Sequence, residues 1–151
     1  IDDALASNPF AAAAALDAVG EVPVTWLIGG QSRDVSLAPM AAALAQRRSP
    51  TLLLGLPDTG EAWCAQMAGP SGSSGSSGSS GTGVGDTAAQ PVGLDALAVA
   101  DVGEAVRIAA TRTPEDGVVL FAPGAPTPSR LGTYHERAAD FAAAFAALSG
   151  G

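Results

Sequence analysis

Two short segments carry the polar side chains best suited to chemistry. In the first, Gly29-Gly30 leads to Gln31, Ser32, Arg33 and Asp34. In the second, Pro123-Gly124-Ala125-Pro126 leads to Thr127, Ser129, Arg130 and then Tyr134. A guanidinium such as Arg33 grips a carboxylate through two parallel N–H donors. Hydroxyls such as Thr127 and Ser129, beside the Arg130 cation, both donate and accept around a small anionic group. A plainer reading stands beside each: Arg33 as a solvated surface arginine, Asp34 as a turn residue or its local partner, Thr127-Pro128-Ser129 as loop shaping, Tyr134 as packing on a sheet. These groups suit recognition of a small acid, not covalent catalysis. His135 and Cys64 are the only histidine and cysteine. Neighbouring His135 and Glu136 point apart on a helix, and no nucleophile, base and orienter form a triad. His135 reads as surface and Cys64 as inert packing, so no catalytic residue and no metal site is predicted.

Both segments follow apolar runs, and those runs define the elements that must position them. Ser7-Asn8-Pro9 caps and opens a helix over 9–19, which Gly20 ends. Val22 to Ile28 is a short buried strand, with Pro23 at its first residue or outside the ladder. A helix over 39–46 follows, with Arg47-Arg48 at its charge-tolerant end. The pattern continues with a strand over 51–55 and a helix over roughly 60–68. Leu97-Ala98-Val99 reads as an edge strand. A helix runs from Asp101 to about Thr111, with Glu104 as capping-box partner. A strand over 118–122 and a final amphipathic helix over 134–148 complete the chain. Alternating helices and strands predict an α/β fold: a three-layer, mostly parallel, Rossmann-like sheet with helices on both faces. Ligands of such sheets meet the loops beyond the carboxyl ends of the strands, which is where both polar segments fall.

Composition narrows the function classes. The chain has 151 residues and a formal charge of -8, with all seven basic residues arginine and no lysine. Nucleic-acid binding needs a concentrated positive surface, and only Arg47-Arg48 make a short basic step, so no nucleic-acid partner is expected. Ala11 to Ala15 is too short an apolar run to span a bilayer, the first residues lack a signal-peptide pattern, and the single cysteine fits a reducing compartment. A cytoplasmic setting without a membrane partner is therefore expected. The first residue is not Met, which suggests a chain that begins inside a longer protein or after removed residues. Residues 71–81 read SGSSGSSGSSG, a strict three-residue repeat with nothing to bury. An engineered loop replacement inside a single domain is the expectation, with a natural low-complexity loop as the alternative.

Three segments together resemble the C-terminal domain of the Mur ligases, and within that family most resemble the member that adds D-glutamate to UDP-N-acetylmuramoyl-L-alanine. Asp3-Ala4-Leu5-Ala6-Ser7-Asn8-Pro9 is similar to the family's D-S-K-A-T-N-P. Leu27-Ile28-Gly29-Gly30-Gln31-Ser32-Arg33, with Ala38-Pro39-Met40, is similar to a glycine pair followed by D-x-K and S-P-L. Val119 to Thr127, continuing to Tyr134-His135-Glu136-Arg137, is similar to L-L-S-P-A-C-A-S followed by F-E-x-R-G.

The resemblance implies an amino-acid-binding domain of an ATP-dependent, amide-forming ligase of peptidoglycan biosynthesis, inactive alone. N-terminal and central ATPase domains would be its missing partners. It implies that Ser7, Arg33, Thr127 and Tyr134 line a small amino-acid site, with Arg33 on a carboxylate, and that Asn8 lies near the nucleotide. No cofactor is implied for this segment, and ATP and Mg2+ are implied for a full-length parent. Departures mark the same motifs: Leu5 and Arg33 replace lysines, Ser129 an aspartate and Gly132 another lysine. Arginine and lysine present different geometry. A non-catalytic interaction or scaffold domain on the same fold is the alternative these departures leave open.

Overall fold

The computed structural model describes residues 1–31, 34–69 and 93–149. The Gly/Ser repeat, Ser32 and Arg33 lie outside them. In chain order the elements are α1 (Pro9–Val19), β1 (Val24–Ile28), α2 (Ala38–Gln46), β2 (Thr51–Gly55), α3 (Gly60–Ala68), β3 (Leu94–Ala98), α4 (Val102–Arg112), β4 (Val118–Phe121) and α5 (Tyr134–Ser149), with a 3-10 turn at Ser129–Leu131. The four strands are all parallel and ordered β3-β2-β1-β4.

Local chemistry sets the element ends. The Asn8 side chain accepts from the Ala11 amide at 3.0 Å and Pro9 fills the first helical position, where a missing N–H costs nothing. Gly20, at φ 77, closes α1. Pro23 stays outside β1, as its lack of a donor requires. The β3 edge strand begins at Leu94, three residues before the sequence reading placed it. The Asp101 side chain accepts from the Glu104 amide at 2.7 Å, and Glu104 reaches back to the Ala100 amide at 2.6 Å. That reciprocal pair satisfies amides left free at the start of α4.

Alternation along β1 divides the interior into two layers. Val24, Trp26 and Ile28 pack with α1, α2 and α3 in one cluster. Leu27 packs with Leu52, Leu54 and Phe121 beneath α4 and α5 in the other. Trp26 is wholly buried, and its indole N–H donates to the Ala122 carbonyl at 2.9 Å, so the largest core side chain also pins the start of the loop after β4.

Arg47 behaves differently from its expected role as a charge at a helix end. It is 8% exposed and donates to the Gly20 carbonyl at 2.9 Å, the Val22 carbonyl and the Thr51 hydroxyl at 3.1 Å. A buried guanidinium needs such partners, and here they staple the turn between α1 and β1 to the start of β2.

Candidate functional site

The site lies at the carboxyl end of β4, where three stretches of backbone converge. The segment before α1 runs alongside that strand: the Phe121 amide donates to the Ile1 carbonyl at 2.9 Å, the Asp3 amide to the Phe121 carbonyl at 2.8 Å, and the Gly124 amide to the Ala6 carbonyl at 2.7 Å. This pairing holds Ser7 beside the loop that carries Thr127. The loop after β1 joins from the other side, with the Gly29 amide on the Pro123 carbonyl and the Gln31 amide on the Pro126 carbonyl, both at 2.8 Å. The base of the segment leading to Arg33 is therefore zipped to the backbone of the Thr127 loop.

A cavity of about 440 Å³ opens between the segment before α1 and the loop leading from β4 into α5. Ala4, Leu5 and Ser7 form one wall, and Thr127, Thr133, Tyr134 and His135 form much of the other. The structure thus gathers Ser7, Thr127 and Tyr134, three of the residues expected to bind substrate. Arg33 lies outside the described residues. Asn8 sits at the start of α1 next to Ser7, with its carbonyl engaged as the helix cap.

The first turn of α5 is fixed by its own cap. The Glu136 carboxylate accepts from the Thr133 amide at 2.6 Å and the Thr133 hydroxyl at 3.0 Å. Those donors hold the carboxyl below its ordinary value. Glu136 is thereby turned back, while the His135 ring stacks on Tyr134 with centroids 3.9 Å apart. The two neighbours diverge, as their adjacency predicts. His135 is exposed, as expected, and also borders the cavity.

Arg130 corrects a second expectation. It does not stand free to meet an anion but forms a two-pronged ion pair with Asp58, one arm at 2.9 Å. The pair lowers the Asp58 carboxyl and raises the Arg130 guanidinium. Asp58 holds a φ of 78, a left-handed conformation that aspartate tolerates better than most side chains. The pair ties the loop after β2 to the loop after β4. Ser129 is exposed beside it.

Arg137 was not singled out among candidate site residues. It is 3% exposed, and its Nη2 donates to the Gly29 carbonyl at 3.2 Å. Its guanidinium lies 5.6 Å from the Phe121 ring centroid, within cation–π range. Nε and Nη1 have no hydrogen-bond partner, and burial pulls the group down to about 10. Arg137 supports the floor of the loop after β1 from beneath. The one sequence signal for it was its place in the segment similar to F-E-x-R-G. A second cleft of about 370 Å³, bordered by Pro57, Val102, Leu131 and Arg137, includes none of the predicted binding residues. Among the described residues no group of three or more His, Cys, Asp or Glu side chains is arranged to hold a metal ion, and no helix is long and apolar enough to cross a membrane.

Comparison with known proteins bears directly on this arrangement. Over 144 residues, 95% of its length, the chain is 35% identical to a UDP-N-acetylmuramoyl-L-alanine–L-glutamate ligase of Micromonospora sp.. It is 31% identical over the same length to the protein of that name from Salinispora tropica. The chain belongs to the Mur ligases. It spans 27% of the length of each of these two relatives, so it corresponds to a segment of a Mur ligase. No family model matches the chain. Both relatives are named for L-glutamate, whereas the Mur ligase motifs in the sequence most resemble the D-glutamate-adding member.

Proposed function

We propose that the chain is the C-terminal, amino-acid-binding domain of a Mur-type ligase that adds L-glutamate. The observation that carries this reading is the convergence of Ser7, Thr127 and Tyr134 on one cavity of about 440 Å³ at the carboxyl end of β4. The two relatives named for L-glutamate support the choice of isomer.

In the parent enzyme the amine of the amino acid attacks an acyl phosphate, the new C–N bond forms and phosphate leaves. Activation of the acyl group is the work of ATP and Mg2+ on the parent's other domains. The part of this chain is to bind and orient. Arg33 takes a carboxylate, the hydroxyls of Ser7 and Thr127 complete its hydrogen bonds, and Tyr134 covers the cavity. Asn8 faces the nucleotide where the domains meet. The segment alone forms no amide, because it lacks the acyl donor and its activating domain.

Calorimetric titration of the chain with L-glutamate and D-glutamate tests the reading. Saturable binding is expected, tighter for the L-isomer and weakened about tenfold by Arg33→Ala, the worth of a charged hydrogen bond. Absence of binding by both isomers contradicts it and favours an interaction domain.

A further inference from the structure

One buried side chain joins the two elements that form the longer wall of the cavity. Arg137 is 3% exposed and lies one turn into α5, where its amide donates to the Thr133 carbonyl at 3.1 Å. The turn it closes carries Thr133, Tyr134 and His135, all of which line the cavity. Its guanidinium leaves the helix for the loop after β1. Nη2 donates to the Gly29 carbonyl at 3.2 Å, and a Cβ placed on Gly30 would lie 3.2 Å from Nη1 and 2.5 Å from the Pro126 carbonyl oxygen. The Gln31 amide donates to that same Pro126 carbonyl at 2.8 Å, and Pro126 and Thr127 also line the cavity. The start of α5 and the loop after β4 are thus held to the same three residues, Gly29 to Gln31.

Stability alone does not account for this arrangement. Among the described residues Nε and Nη1 find no acceptor, although both are buried. Asp58, the carboxylate whose charge acts on the guanidinium, is already paired with Arg130. A buried cation with unmet donors lowers stability, and an apolar side chain of similar size in such a place is often neutral or stabilising. Methionine suits these surroundings, because it is unbranched, fills irregular gaps and makes favourable contacts with aromatic rings. The Phe121 ring offers one, its centroid 5.6 Å from the guanidinium carbon. What methionine lacks is the donor to the Gly29 carbonyl.

We propose that Arg137 is a positioning residue for the amino-acid cavity, fixing the spacing of Thr127 and Tyr134 by tying the start of α5 to the backbone of Gly29 to Gln31. The side chain itself is not part of the cavity lining, so it acts through the walls and touches no ligand. The inference rests on the proposed amino-acid site.

The test compares wild type, Arg137→Met and Arg137→Lys by L-glutamate titration, urea unfolding and amide hydrogen exchange. Arg137→Met is expected to bind L-glutamate about tenfold more weakly, the effect of misplaced binding groups. Its urea midpoint is expected at or above the wild-type value, and its Gly29 and Gln31 amides are expected to exchange faster through local opening. Arg137→Lys, which keeps a donor for the Gly29 carbonyl, is expected to bind more tightly than Arg137→Met. Unchanged affinity in Arg137→Met, failure of that variant to fold, or weaker binding matched by a lower urea midpoint would overturn the positioning role while leaving the amino-acid site standing. No L-glutamate binding by wild type would overturn both.

Discussion

The Thr59 hydroxyl holds both backbone polar groups of Gly30: it accepts from the Gly30 amide at 3.1 Å and donates to the Gly30 carbonyl at 3.0 Å. Thr59 stands at the start of α3 but makes no side-chain cap there, because its one hydroxyl is used across the sheet edge. One residue of the loop after β2 thereby fixes the backbone three residues ahead of Arg33.

Thr59→Val keeps the shape and removes both bonds. The expected loss is about 1–3 kcal/mol, the cost of leaving backbone groups unsatisfied, read as a lower urea midpoint. L-Glutamate affinity is expected to fall as well, since the loop leading to Arg33 loses its anchor. Full retention of stability would show that water replaces the hydroxyl without cost.

Gly60 sets a second constraint. A Cβ there would lie 2.4 Å from the Gly55 carbonyl carbon and 2.9 Å from the Ile28 carbonyl oxygen. Backbone, unlike a flexible side chain, cannot yield cheaply. Gly60→Ala is expected to cost about 3 kcal/mol, the upper range for overpacking, or to prevent folding. Gly20→Ala is the control. Gly20 has a φ of 77 and a ψ of -165 but no atom within 4 Å of the added carbon, so only the backbone strain of a glycine-favoured conformation, about 1–3 kcal/mol, is expected. Equal thermal shifts for the two variants would contradict the close-approach argument.

Cys64 lies buried on α3. Burial, aided by the Glu61 charge, pushes its thiol up to about 12. The reactive thiolate is therefore scarce at pH 8. A disulfide reagent is expected to label the native chain far more slowly than the urea-unfolded chain. Equal rates would place the thiol in solvent.

Acid should weaken the fold through three carboxylates whose values fall on folding. Glu21 is lowered mainly by the Arg48 amide, Asp58 by the Arg130 side chain and Glu136 by the Thr133 amide. Because the folded values lie below the ordinary ones, 4.5 for Glu and 3.8 for Asp, their stabilisation is present above those values. It is lost as pH falls through the folded ones. The urea midpoint is expected to drop between pH 5 and pH 3, less steeply in Glu136→Gln. An identical pH profile in that variant would remove Glu136 from the account.

The sequence was most readable where the physics is local. Asn8-Pro9 and Gly20 bound α1 because caps and proline act within one turn, and the apolar run ending at Ile28 identified a buried strand through composition alone. The grouping of Ser7, Thr127 and Tyr134 around one cavity was legible through the order of three weak motifs. Contacts distant in sequence left no such trace. Arg130 appeared free because its partner, Asp58, is 72 residues away. Arg47 looked like an ordinary helix-end charge until its partners proved to be carbonyls of the preceding turn. His135 is exposed, as the sequence suggested, but its place beside a cavity was not legible, because nothing local shows the segment before α1 folding back beside it.

The most direct test of the central claim is an amide-resolved NMR titration of the chain with L-glutamate. The account predicts saturable shifts at Ser7, Thr127 and Tyr134, sharing one dissociation constant and lost in Arg33→Ala. Shifts confined to the cleft of Pro57, Val102 and Leu131, or no shifts at millimolar ligand, would contradict it.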